Sequence, residues 1–218
     1  MTDSTTRLTL LTPLLGEAAF ASQLDAACGA GDVAAVIARF AQTDERSLVK
    51  RIKALAPAAQ NHGAALLISA PGEIDLAMVA ASGGADGVHI EAEAGTDAVA
   101  DLRERLKGER ILGVGGVRSK HDAMSIGETG ADYLLFGEPR TDGFVPPLDA
   151  IIERAAWWAE IFEMPCIAYA PTLGDVPAVA ATGAEFVALG DAVWQHPQGP
   201  AEAVRLALQA LKTSSAGR

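Results

Sequence analysis

Eight short runs of β-forming residues recur along this chain, each followed by a longer stretch with helical spacing, and that alternation limits the fold more than any other feature. A β-run, a helix and a second β-run in succession specify parallel strands joined by right-handed helical crossovers. The strand candidates are residues 8–11, 33–40, 64–69, 87–90, 111–113, 133–136, 166–170 and 186–189; the helical stretches are 17–28, 44–62, 75–82, 97–106, 120–129, 148–162, 176–182 and 200–211. Helix starts are marked by Ser119 followed by Asp122, a capping-box variant, and by Pro200 in a first helical turn.

A repeat favours closure into a barrel over an open sheet. Gly84-Ala85-Asp86, Gly130-Ala131-Asp132 and Gly183-Ala184-Glu185 each end a helix and enter a strand, and they fall before strands four, six and eight. Glycine supplies the turn that leaves a helix, and the small alanine lets the loop pass under the sheet. Alternate strands with one shared local geometry are what the layered interior of a (β/α)8 TIM barrel requires. The expected fold is therefore α/β, a single (β/α)8 barrel over residues 1–218 with flexible tails at 1–6 and 213–218.

Composition agrees with such a core: half of the residues are hydrophobic but only 5% are aromatic, so Ala, Val, Leu and Ile must fill it. A formal net charge of -11 repels nucleic acid and anionic lipid, whose binding depends on cationic side chains. The first seven residues do not pair a basic stretch with an apolar run, and no later segment holds ~18 uninterrupted apolar residues, so a cytoplasmic protein with no membrane or nucleic-acid partner is expected. Cys28 and Cys166 are isolated, without metal-knuckle spacing, and read as small buried hydrophobes.

The stretches Gly87-Val88-His89-Ile90, Ile111-Leu112-Gly113-Val114-Gly115 and Gly130-Ala131-Asp132-Tyr133-Leu134-Leu135-Phe136-Gly137 resemble the middle of thiamine phosphate synthases and of their thiazole tautomerase branch. The likeness runs along the whole chain and is strongest from Ser82 to Asp142. It implies that a pyrimidine diphosphate and a thiazole phosphate couple while Mg²⁺ and basic groups draw off pyrophosphate, chemistry that needs positive charge around the leaving group.

The chain departs from the family pattern at several strand ends. Strand two keeps Arg39 but has Ile37 and Ala41 where the family has Gln and Lys. Strand three ends in Ser69-Ala70-Pro71 in place of an Asn-Asp pair that holds substrate and metal. Strand four continues into Glu91 and Glu93, either of which stands near the second metal carboxylate. Arg118 or Val117 occupies the place of the tautomerase histidine, Arg140 that of a synthase lysine, and Gly190-Asp191 puts an anion where a phosphate loop is expected.

These residues define the expected site at the carboxyl ends of the strands. His89, Glu91 and Arg39 are the candidate catalytic groups, His89 being either inward-facing or a hydrogen-bonded core histidine. Gly115, Gly116, Arg118, Arg140 and Gly190 are the candidate phosphate-binding set, the Gly113-x-Gly115-Gly116 run offering bare backbone N–H groups to an anion or merely making a tight turn. Glu91 and Glu93 are candidate metal ligands, with Mg²⁺ as the expected ion if one binds. Schiff-base chemistry is excluded, because Lys50, Lys53, Lys107, Lys120 and Lys212 all map to helices or the tail.

Adjacent Trp157 and Trp158 cannot both face the core squarely across a ~100° helical step, so either one meets a second subunit, the expected state being a homodimer, or Trp158 simply covers the helix–helix seam. Three functions remain open on sequence: a divergent synthase-like barrel that binds a phosphorylated small molecule with weak, altered or lost activity, a working Mg²⁺-dependent synthase with a re-created site, or a non-catalytic regulatory or scaffold barrel.

Overall fold

In the computed structural model, which describes residues 6–16, 20–140 and 143–215, eight parallel strands close into a barrel in chain order. They are β1 (Arg7–Leu11), β2 (Val33–Arg39), β3 (Ala65–Ser69), β4 (Gly87–Glu91), β5 (Ile111–Gly115), β6 (Tyr133–Phe136), β7 (Cys166–Tyr169) and β8 (Phe186–Leu189). The connecting helices are α1 (Ala21–Cys28), α2 (Glu45–Gln60), α3 (Leu76–Gly83), α4 (Thr96–Leu106), α5 (Lys120–Gly127), α6 (Leu148–Ile161) and α7 (Val176–Ala180), followed after β8 by α8 (Asp191–Trp194) and α9 (Pro200–Ser215). Strand β8 pairs with β1, Leu8 opposite Val187, which closes the cylinder.

Two apolar cores result from strand alternation. Leu11, Ile37, Leu67, Tyr133, Leu135, Ile167, Tyr169 and Ala188 pack inside the barrel. Their outward-facing neighbours, such as Leu10, Val36, Ile68 and Val88, pack beneath the helices.

The repeat has a physical cause. Gly84, Gly130 and Gly183 take positive φ values of 81°, 86° and 93°, and the alanines after them are buried. The acid at the third position then accepts a hydrogen bond from the backbone N–H at the start of the preceding strand. Asp86 holds Leu66 N–H at 2.7 Å, Asp132 holds Leu112 N–H at 2.7 Å, and Glu185 holds Cys166 N–H at 3.0 Å. Each acid thereby pins an even strand to its odd neighbour at the amino-terminal end of the barrel. Asp132 also pairs with Arg103 at 2.7 Å. Replacing Asp132 with alanine is expected to cost about 1–2 kcal/mol, read as a lowered urea midpoint at unchanged slope, because a charge-assisted but partly solvated bond is lost. Unchanged stability would remove this role from the repeat.

The boundaries differ from expectation in places. Strand β5 runs two residues further, to Gly115, so that Gly115 belongs to the barrel wall. Strand β2 ends at Arg39, and Phe40 forms a bridge with Leu15 instead. The start of the first helical stretch at residues 17–19 lies outside the described residues, and α1 begins at Ala21. Helix α9 continues to Ser215, so residues 213–215, expected as tail, are helical; residues 1–5 and 216–218 lie outside the described set. The Ser119–Asp122 capping box forms as expected. Among the described residues no helix is long and apolar enough to cross a membrane.

Candidate active site at the carboxyl ends of the strands

The site is built on the glycines of β5. In the barrel wall His89 lies beside Gly113, and Gly113 beside Tyr133, so one row crosses three strands. With no side chain on Gly113, Tyr133 reaches over it, and its hydroxyl meets His89 Nδ1 at 2.9 Å. One step nearer the carboxyl end, Glu91 lies beside Gly115. Here Glu138, two residues past β6, extends over Gly115 toward His89 and accepts the Gly116 N–H on its carboxylate. A Cβ on Gly115 would collide with Glu138 and His89 together. Gly116 has φ +68°, and a Cβ there would strike the Glu91 carboxylate.

His89 therefore faces into the barrel, 2% exposed. Burial, reinforced by the charge of Arg39, pushes its imidazole down to about 3, so the ring is neutral at pH 7. The Tyr133 phenol is held well above its ordinary value by burial and nearby carboxylates and keeps its proton. Glu138 is pushed up to about 7 by burial and by the neighbouring Glu91, and Glu91 is itself raised by burial against the opposing charges of Arg39 and Arg140. Two carboxylates thus share a poorly hydrated space, which must be neutralised by a proton or by a cation.

Arg39 stands at the end of β2, locked by its Nε to Thr12 O at 2.8 Å while its own N–H reaches Thr12 Oγ1 at 3.0 Å. It is a half-buried positive group of the mouth: desolvation lowers its pKa, and the charges of Tyr169, Asp191, Glu91 and Glu138 oppose that. Arg140 sits in the turn after β6, its N–H bonded to Phe144 O at 2.9 Å and its guanidinium 5.0 Å above the Phe144 ring.

Arg39, His89, Glu91, Gly115 and Gly116 are thus brought together, and Arg140 acts on Glu91 through its charge. The other expected residues serve elsewhere. Arg118 is ion-paired with Glu93 at the surface, beside a cleft of about 290 Å³ shared with Thr96 and Asp122. The pairing of Glu91 with Glu93 fails for a local reason. After β4 the chain enters a 3₁₀ turn over Ala92–Ala94, which breaks the alternation that would have kept both carboxylates on one side. Gly190 lies against the Tyr169 hydroxyl, where a Cβ would approach to 2.9 Å, and opens a helix of only four residues.

Sequence reasoning did not single out Glu138 or Tyr133. A usable signal for Glu138 was its position just past a barrel strand, where side chains turn toward the mouth.

An eight-stranded barrel with its polar groups gathered at the carboxyl ends of the strands defines the class of (β/α)8 proteins whose sites occupy that face. The family model for thiamine monophosphate synthase matches residues 9–193, and the chain belongs to that family. The thiamine-phosphate synthase of Rhodospirillum centenum is 37% identical over 207 residues, covering 94% of this chain and 96% of that one. The Hyphomonas neptunium thiamine-phosphate synthase is 36% identical over 213 residues, covering 92% and 91%. Among solved structures, the thiamine phosphate pyrophosphorylase from Pyrococcus furiosus superimposes with a TM-score of 0.75 at 20% identity, over 97% of this chain and 98% of that one.

Proposed function

We propose that the mouth of the barrel binds a phosphorylated small molecule and that the synthase reaction of the family runs here weakly or in altered form. The observation that carries this reading is the charge arrangement around Arg39. Glu91, Glu138 and Asp191 all act on it, while Arg118, which would have added positive charge, is spent on Glu93. Departure of pyrophosphate asks for concentrated positive charge, and without a bound cation these carboxylates oppose it. Arg39 and Arg140 are enough to hold a single phosphate by charge-assisted hydrogen bonds.

A second reading, a working synthase with a re-created site, is favoured by the 37% identity to a curated synthase across 94% of the chain. One assay separates the two. Purified protein incubated with the pyrimidine diphosphate, the thiazole phosphate and Mg²⁺ is expected to form thiamine phosphate only at trace rate. Calorimetry with the thiazole phosphate alone should still show binding that weakens in Arg140→Ala. Sustained turnover would overturn the proposal in favour of the working synthase, and no heat with the phosphate would overturn it altogether.

A further inference from the structure

The donors gathered at the mouth do not suit the magnesium ion that the family likeness implies. Mg²⁺ prefers near-octahedral oxygen ligands and keeps several waters, and the end of β3, Ser69 followed by Ala70 and Pro71, offers no carboxylate. Instead His89, Glu91 and Glu138 each present one donor atom, one nitrogen and two oxygens, all within 4.8 Å of one another. Imidazole nitrogen beside carboxylate oxygen is a donor set for divalent first-row transition ions. We propose that His89, Glu91 and Glu138 form a binding site for one divalent first-row transition ion, of the Mn²⁺, Fe²⁺, Co²⁺ or Zn²⁺ type, at the carboxyl ends of β4 and β6.

The surroundings of the three donors are those of a ligand set. Metal-binding histidines usually have their second nitrogen fixed by a hydrogen bond, which orients the ring, and His89 Nδ1 is held by Tyr133 at 2.9 Å. The ring is 2% exposed, and Nε2 faces the space above Gly115 that the Glu138 carboxylate also borders. Glu138 is oriented in turn by the Gly116 N–H. Gly115 and Gly116 keep the space clear, since a Cβ on either would strike one or more of the three donors. Bond lengths of ~2.1 Å bring ligand atoms to within about 3–4 Å of each other, a contraction that small side-chain rotations provide. A dication would also cancel the two carboxylate charges that burial penalises. Three protein ligands leave coordination positions open for a phosphoryl oxygen.

The inference concerns the same mouth as the proposed function but is tested without any phosphorylated compound, so either can fail alone. Full-length protein stripped with chelator and desalted is titrated with Mn²⁺, free ion being followed by its electron paramagnetic resonance signal. One ion per chain is expected to bind, with millimolar Mg²⁺ unable to displace it. Glu91→Gln and Glu138→Gln should each raise the Mn²⁺ Kd at least about tenfold while their metal-free melting curves show a folded protein. Absence of stoichiometric binding, wild-type affinity in either variant, or displacement by millimolar Mg²⁺ would each overturn the site.

Discussion

Gly115→Ala is expected to lower stability by about 2–4 kcal/mol and to abolish Mn²⁺ binding at the mouth. The added methyl would land between Glu138 and His89, and neither can move cheaply. His89 is anchored to Tyr133 and Glu138 to the Gly116 N–H, and both are buried. Over-packing of a well-filled interior costs about 1–3 kcal/mol, and a broken hydrogen bond to a buried charged group adds a comparable amount. For a chain of this size that corresponds to a melting point lowered by roughly 4–16 °C. Gly16→Ala is the control, because nothing lies within 4 Å of a Cβ there, and its effect should stay within about 0.5 kcal/mol. If Gly115→Ala melts with the control and retains Mn²⁺ affinity, the glycines of β5 do not hold the site open.

Those glycines show where sequence reasoning reaches its limit. Gly113-x-Gly115-Gly116 reads from spacing alone as an anion cradle or a turn. In the barrel the first two occupy a strand, and their missing side chains let residues from β4 and β6 meet across it. That role cannot be read locally, since it depends on what stands on either side; Glu138 lies 22 residues from the Gly116 N–H it accepts. The barrel itself was legible because its signals are local: the alternation, and the Gly-Ala-acid repeat whose carboxylates each reach one neighbouring strand. The inward direction of His89 required only its parity with Val88, which packs under the helices, together with knowledge of which side is interior. Arg118 misled because its charge counts in the sequence, whereas its partner Glu93 becomes a neighbour only after the 3₁₀ turn redirects the chain.

Trp158→Ala is expected to cost about 3–5 kcal/mol, and Trp157→Ala about 1 kcal/mol, although the two residues are adjacent on α6. The helical step sends Trp158 inward, 1% exposed, and leaves Trp157 at the rim with Lys120 5.0 Å from its ring. Trp158 stacks on Phe162 with centroids 4.1 Å apart, lies 5.9 Å from Phe136, and donates its indole N–H to Met164 O at 2.8 Å. No smaller side chain fills that volume, and Gly127 on α5 approaches the same ring so closely that a Cβ there would stand 3.0 Å from it. The consequence extends to the mouth. Phe136 is the last residue of β6, and the next turn carries Glu138; Gly137 between them, at φ +92°, has no room for a Cβ against Ile151 of α6. Loosening α6 should therefore loosen the segment that positions Glu138, so a Trp158→Ala protein still folded at low temperature should bind Mn²⁺ more weakly than Trp157→Ala. Chemical denaturation and Mn²⁺ titration of the pair test both parts, and equal losses in the two variants would show that α6 does not anchor the Glu138 turn through Trp158.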